Sequence, residues 1–233
     1  MPHGRQRTWA ISSAGHVAVL TLVMLLAASC AGSPTPEQRS VTISTAGCGY
    51  ATAVNSSGVV VDTGLVLTAA HSVRGSSTIA VTTTDGGTYP ATVVGLDMRT
   101  DLALLSVPEL SEPAVEVGTA TAGDVGEIVG ASSSGTIPYL VRQAVQITID
   151  RIGGQGGHER SGHELEADTR TGDSGAGAFD DDDRLIGIVF ATSDDDSNTT
   201  WITAGSEVSE FLAADRSGPW VCDPEKSRVE PTG

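Results

Sequence analysis

The sequence predicts an all-β protein, two antiparallel β-lobes followed by one short helix. Three observations carry that expectation. Short runs rich in Val, Ile, Leu and Thr alternate with Gly, Asp and Ser at close spacing, the pattern of antiparallel strands and turns. The runs fall into two sets, separated by a proline-containing stretch over residues 108–124. Only Ser206–Ala214, through Val208, Phe211 and Leu212, has apolar residues at helical spacing.

The segment before the strands has its own chemistry. Arg5 and Arg7 precede an apolar run from Val17 to Ala28, interrupted only by Thr21, which is too short to span a bilayer. Residues 1–29 are therefore expected to be a secretory signal peptide. Leu26-Ala27-Ala28-Ser29-Cys30 resembles the lipobox of bacterial lipoproteins, which implies cleavage before Cys30 and lipidation of its thiol. Residues 30–45, with Ser, Pro and Thr and no apolar periodicity in their first part, are expected to act as a tether to the membrane. The chain has 3 cysteines, an odd count that needs explaining in an exported protein. With Cys30 lipidated, Cys48 and Cys222 remain at the two ends of the body. They either bridge, closing nearly the whole domain, or stay as separate thiols.

The body is expected over residues 46–222, with an N-terminal lobe over 46–112 and a C-terminal lobe over 120–204. The first set of strands is Tyr50–Val54, Val59–Val61, Leu65–Ala69, Thr78–Thr83, Tyr89–Leu96 and Leu102–Val107, with Asp85-Gly86-Gly87 as a hairpin turn. The second is Val125–Gly130, Leu140–Ile149, His163–Ala167, Gly175–Phe179, Leu185–Ala191 and Thr199–Thr203, with a glycine-rich loop over Gly153–Gly157. The helix follows at 206–214 and a tail at 223–233. No further module is expected after Ala214.

Charge narrows the function. Against 29 acidic residues stand 13 basic ones, a formal charge of −16, and the one lysine is Lys226. Nucleic-acid binding needs Lys and Arg to neutralise phosphates, so that partner is excluded. Two acidic clusters, Asp180–Asp183 and Asp194–Asp196, read as exposed hairpin tips. His158, Glu159, His163 and Glu164 have no metal-ligand spacing and read as solvated loop residues, so no metal is expected.

Three segments carry the chemistry. Leu67-Thr68-Ala69-Ala70-His71 sets a histidine at the end of an apolar run, and Thr100-Asp101-Leu102-Ala103-Leu104-Leu105 opens another run with an aspartate. Thr171-Gly172-Asp173-Ser174-Gly175-Ala176-Gly177 places a serine between glycines. A serine hydroxyl becomes a useful nucleophile when a base removes its proton and an acid orients that base, and His71 and Asp101 supply both groups. The α/β-hydrolase elbow G-x-S-x-G does not fit, because Ala176 takes its last position and no helices alternate with the strands.

In this His, Asp, Ser order the chain resembles the chymotrypsin-like (trypsin-fold) serine peptidases, and within them compact bacterial members and HtrA-type protease domains. The resemblance covers roughly residues 46–214 and implies two antiparallel β-barrels. It implies Ser174 as nucleophile, His71 as general base and acid, and Asp101 as the group that orients His71. The Gly172 and Ser174 N–H groups would form the oxyanion hole, and Asp173 would hold the loop through a cation, with Arg142 and Arg170 as candidates. Asp168, six residues before Ser174, stands where trypsin-like members carry the S1 carboxylate, which would select Arg or Lys at P1. Phe190-Ala191-Thr192-Ser193 would supply the opposite pocket wall. The implied partner is a protein or peptide substrate, and the chemistry calls for no cofactor. Two departures are Ala176-Gly177, where the family continues Gly-Pro, and the lack of a cysteine pair flanking His71. An inactive trypsin-fold protein that binds peptides is the competing expectation.

Overall fold

The computed structural model describes Met1 and residues 34–47, 50–130, 135–149, 158–193 and 198–214. The signal peptide, Cys30, Cys48, Cys222, the Gly153–Gly157 loop and Asp194–Asp196 lie outside the described residues.

The strands of the first lobe are β1 (Ser40–Gly47), β2 (Tyr50–Asp62), β3 (Leu65–Ala69), β4 (Thr78–Thr83), β5 (Thr88–Pro90), β6 (Thr92–Asp97) and β7 (Leu102–Ser106). They form one antiparallel seven-stranded sheet in the order β5-β4-β1-β2-β3-β7-β6, curled as a half-barrel. The second lobe contains β8 (Val125–Val129), β9 (Thr136–Ile149), β10 (His158–Glu166), β11 (Gly177–Asp180), β12 (Leu185–Thr192) and β13 (Thr199–Ala204). These close into a barrel in the order β10-β13-β12-β11-β8-β9. Three helices complete the described chain: α1 (Pro36–Arg39), α2 (Ala70–Val73) and α3 (Gly205–Ala213). None is long and apolar enough to cross a membrane.

Each lobe has its own apolar core, and a third core lies between them. Val41, Ile43, Val60, Val66 and Leu105 pack inside the first lobe, and Ile128, Val141, Leu165, Ala178 and Ile202 inside the second. Val59, Val61, Leu67, Leu102 and Leu104 of the first sheet meet Phe179, Leu185 and Ile188 of the barrel and Val208 of α3. Alternate residues of β2, β3 and β7 thus enter different cores. That is why Val59-Val60-Val61 and Leu102–Leu105 read as unbroken apolar runs rather than alternating ones.

The boundaries depart from expectation where polar residues lie inside the sheets. The tether expected over 30–45 ends earlier, because residues 36–39 are helical and Ser40–Gly47 is an interior strand between β2 and β4. In that strand Val41, Ile43 and Thr45 alternate inward. The two runs Tyr50–Val54 and Val59–Val61 are one strand, β2. Its polar centre Asn55-Ser56-Ser57-Gly58 is paired with β1 along the ladder Ser44↔Asn55 to Val41↔Gly58. Tyr89–Leu96 instead splits into β5 and β6, since Pro90 lacks a donor and sits on an edge strand. β10 starts at His158, so Glu159, His163 and Glu164 are strand residues, and His163 is buried. Gly162 permits that strand: a Cβ there would lie 2.5 Å from the Ile147 side chain and 2.6 Å from the Ile202 carbonyl. No cluster of His, Cys, Asp and Glu that could hold a metal occurs among the described residues.

Candidate active site

His71 is the second residue of α2, the single helical turn that continues β3. Its main-chain N–H donates to Asp101 Oδ1 at 2.8 Å, and its Nδ1 meets Asp101 Oδ2 at 2.7 Å. Two bonds to one carboxylate fix both the tautomer, with the proton on Nδ1, and the plane of the ring. Nε2 is then left as the acceptor. The imidazole is partly exposed while the Asp101 side chain is nearly covered.

Asp101 is held in a left-handed backbone conformation, φ 58°, in the turn between β6 and β7. Its carbonyl accepts the Ala70 N–H at 2.9 Å, so main chain and side chain both grip the histidine segment. The turn is built locally by Asp97, whose carboxylate accepts the Arg99 N–H at 2.8 Å and the Thr100 hydroxyl at 3.0 Å. It is also tied to the barrel, since Thr203 Oγ1 donates to the Thr100 carbonyl at 3.0 Å.

Ser174 sits in the loop ahead of β11, and that loop is docked onto the first lobe. The Ser57 N–H donates to the Ser174 carbonyl at 2.8 Å, and Ser57 Oγ donates to the Gly172 carbonyl at 2.9 Å. Thr68 Oγ1 in turn donates to the Ser57 carbonyl at 2.7 Å. Gly175, φ 89°, fits where nothing larger would: a Cβ there would lie 2.1 Å from Ser57 O, 2.3 Å from Thr68 Oγ1 and 3.1 Å from Ala69 N. The Ser174 loop therefore packs directly against the residues that lead into His71. From the barrel side, Gly175 N–H donates to the Val189 carbonyl at 2.7 Å, and Val189 N–H returns a bond to Ala176 O at 2.9 Å.

The donors in this loop are divided. Asp173, Gly175 and Ala176 give their N–H groups to Arg170, Val189 and Asp173 carbonyls. The N–H groups of Gly172 and Ser174, which the resemblance assigns to an oxyanion, are not among those bonds. Gly172 has φ 104°, the left-handed region that glycine enters without steric cost. Ala176 is fully buried in the barrel core, so the methyl that departs from the family pattern is accommodated.

Asp173 is fully buried, and its Oδ2 accepts the main-chain N–H of Arg170 at 2.9 Å. Its Oδ1 lies where a side chain on Gly130 would be, 2.3 Å from that Cβ position. The guanidinium of Arg170 turns to Asp168 at 3.2 Å, and Arg142 pairs with Glu166 at 3.5 Å and Thr199 Oγ1 at 2.9 Å. The contribution of Arg170 to Asp173 is thus made by its backbone rather than by the charged group the resemblance suggested.

Asp168 does not stand at the base of a P1 pocket: its side chain is half exposed and pairs with Arg170, in a segment whose Ala167 and Thr169 are the buried residues. The side chain that does point inward is Thr169, whose hydroxyl lies 2.7 Å from Thr200 Oγ1. Thr192 joins them through the Thr169 carbonyl at 3.3 Å. Nothing in the sequence marked these threonines, or Ser57, Thr68 and Thr203, as parts of the site, since each is a common strand residue.

The order of the three segments, the paired lobes and this packing define a class, and the chain belongs to it: residues 56–188 match the trypsin-like peptidase domain family. Among curated proteins it is 30% identical over 162 residues to the serine protease Rv3671c of Mycobacterium tuberculosis strain H37Rv, covering 67% of this chain and 41% of that protein. It therefore spans about two fifths of that relative's length. The crystal structure of the Rv3671c protease from M. tuberculosis, active form, superposes with a TM-score of 0.70 at 25% identity, covering 95% of this chain and 98% of that one. The HtrA-type protease AlgW with tripeptide shares the fold, with a TM-score of 0.63 at 22% identity over 76% of this chain and 59% of that one.

Proposed function

We propose that the protein is a serine endopeptidase that cleaves peptide bonds through an acyl-enzyme. Ser174 Oγ attacks the scissile carbonyl while His71 Nε2 takes its proton. The carbonyl oxygen becomes an oxyanion that accepts the N–H groups of Gly172 and Ser174. Collapse breaks the C–N bond, and the imidazolium gives its proton to the leaving amine. Water, deprotonated by the same imidazole, then attacks the ester and releases Ser174. Asp101 stabilises the imidazolium and keeps it oriented throughout.

The pair of hydrogen bonds from His71 to Asp101 supports this reading, 2.8 Å from the main-chain N–H and 2.7 Å from Nδ1. A histidine that merely filled space would not need both. Hydrolysis of a fluorogenic peptide library by wild type and Ser174→Ala tests it. Cleavage lost in the variant supports the reading, and equal rates in both would refute it. Because Asp168 pairs with Arg170 at the surface, the library is expected to show no preference for Arg or Lys at P1.

Export through residues 1–29 and lipidation at Cys30 would place the protease at the outer face of the cell membrane, where proteins and peptides are its substrates. In that oxidising compartment Cys48 and Cys222 would pair. Metabolic labelling with an alkyne fatty acid tests the anchor: Cys30→Ala is expected to abolish the label.

A further inference from the structure

Arg160 is a charged side chain that the proposed chemistry leaves unused. It lies in β10 and is 3% exposed, and its guanidinium carbon stacks 4.0 Å above the Phe190 ring centroid. Its Nε and Nη1 are buried without a hydrogen-bond partner. Burial of this kind is costly for a cation unless opposite charge compensates it.

The fold places that compensation beneath the site. Gly162, on the same face of β10 as Arg160, pairs with Thr203 of β13, whose hydroxyl holds the Thr100 carbonyl next to Asp101. Burial lowers the affinity of Arg160 for its proton, and the carboxylates that oppose that loss are Asp101 first, then Glu207 and Asp97. Glu207 of α3 takes the Ser161 N–H at 2.8 Å and faces Arg99 at 3.5 Å, and Arg99 also faces Asp97 at 3.5 Å. On the other side of Arg160, Phe190 follows Val189, the residue that clamps both Gly175 and Ala176.

We infer that Arg160 is a positioning residue: its buried positive charge stands behind Asp101, and its stack on Phe190 fixes that charge to the strand that holds the nucleophile loop. The charge acts on His71 through Asp101, and Asp97, Arg99 and Glu207 complete the group. Removing a cation here makes the Asp101–His71 pair easier to protonate. Catalysis by neutral imidazole then needs a higher pH. Removing the ring alone leaves that balance in place.

The inference rests on the proposed triad and is tested by pH profiles of kcat and kcat/KM for wild type, Arg160→Lys, Arg160→Met and Phe190→Leu. The expected result for Arg160→Met is a kcat about tenfold lower, or about 1.4 kcal/mol in barrier, with KM within about twofold and the acidic limb moved to higher pH. Arg160→Lys keeps the limb where it is, and so does Phe190→Leu. Should Arg160→Met fail to fold, Arg160→Gln carries the same comparison. Wild-type rates and limb in the uncharged variant, or equal behaviour of Lys and Met, would overturn the inference. A wild-type protein that cleaves nothing would instead remove the triad, so the two failures are distinguishable.

Discussion

Gly175→Ala probes how the Ser174 loop is seated. The added methyl meets two obstacles. The φ of 89° lies in the left-handed region, which costs a non-glycine residue about 1–2 kcal/mol. The Cβ would also stand 2.1 Å from the Ser57 carbonyl oxygen, a main-chain atom held by Thr68 Oγ1 at 2.7 Å. The loop escapes the overlap by releasing Ser57 N–H to Ser174 O, Ser57 Oγ to Gly172 O and Gly175 N–H to Val189 O. At about 1 kcal/mol for each bond, release costs about 3 kcal/mol and limits the loss of stability to that order. The fold should therefore survive with a thermal midpoint lowered by about 6–12 °C, at about 2–4 °C per kcal/mol for a domain of this size. The site should not survive, and the rate of fluorophosphonate labelling at Ser174 should fall by at least about 100-fold, equal to about 2.7 kcal/mol. Gly86→Ala is the control, because its φ of 91° carries the strain while nothing lies within 4 Å of its Cβ. Labelling of Gly175→Ala at the wild-type rate would refute the seating described.

Asp101→Asn keeps shape but presents an amide to His71 where a carboxylate now accepts two bonds. The favoured tautomer then has Nε2 protonated, and kcat should fall by about 10⁴-fold with KM little changed, as in the trypsin-type triad. Asp168→Asn should leave the P1 profile of a peptide library unchanged, since its carboxylate faces Arg170 at the surface. His163 supplies a pH test of stability. Burial lowers its proton affinity in the fold, and the carboxylate of Asp124 only partly opposes this. Below the unfolded value of about 6.5, the unfolded chain binds the proton that the fold refuses, so stability falls with pH down to the depressed folded value. Denaturant midpoints of His163→Leu should lose that slope below about pH 6.5, and an unchanged slope would exclude His163 as its source.

Much of the candidate site was legible because the chemistry proposed for it requires particular residues in a particular order. His71, Asp101 and Ser174 each stand at the boundary of an apolar run, and only glycine suits positions 172 and 175. The two lobes were legible as well, from the break over residues 108–124. The interior strand β1 was not, since its polar residues resemble a tether until paired with β2 and β4. Nor was the unity of β2, whose Asn55-Ser56-Ser57-Gly58 reads as a turn. Those polar residues lie in a strand because Ser57 serves the loop across a sequence gap of more than a hundred residues, a relation local patterns do not contain. Asp168 misled for a related reason. Its distance from Ser174 in sequence fits an S1 carboxylate, but side chains alternate along an extended segment, and the inward position falls to Thr169.

The electrostatics of the site follow the same division. Around an acidic molecule the one deeply buried arginine among the described residues besides Arg39 is Arg160. Arg39 is hydrogen-bonded to the carbonyls of Val60, Pro113 and Ala114 and so has an evident structural task. Arg160 has the Phe190 ring and the carboxylates beneath the site instead.

Titration of the folded protein with a fluorophosphonate, followed by peptide mapping, tests directly whether Ser174 is a nucleophile activated by His71. One label per chain is expected, on Ser174, at a rate that falls as His71 becomes protonated, and none in His71→Ala. Absence of labelling in folded wild-type protein, or a label carried by another serine, would contradict it.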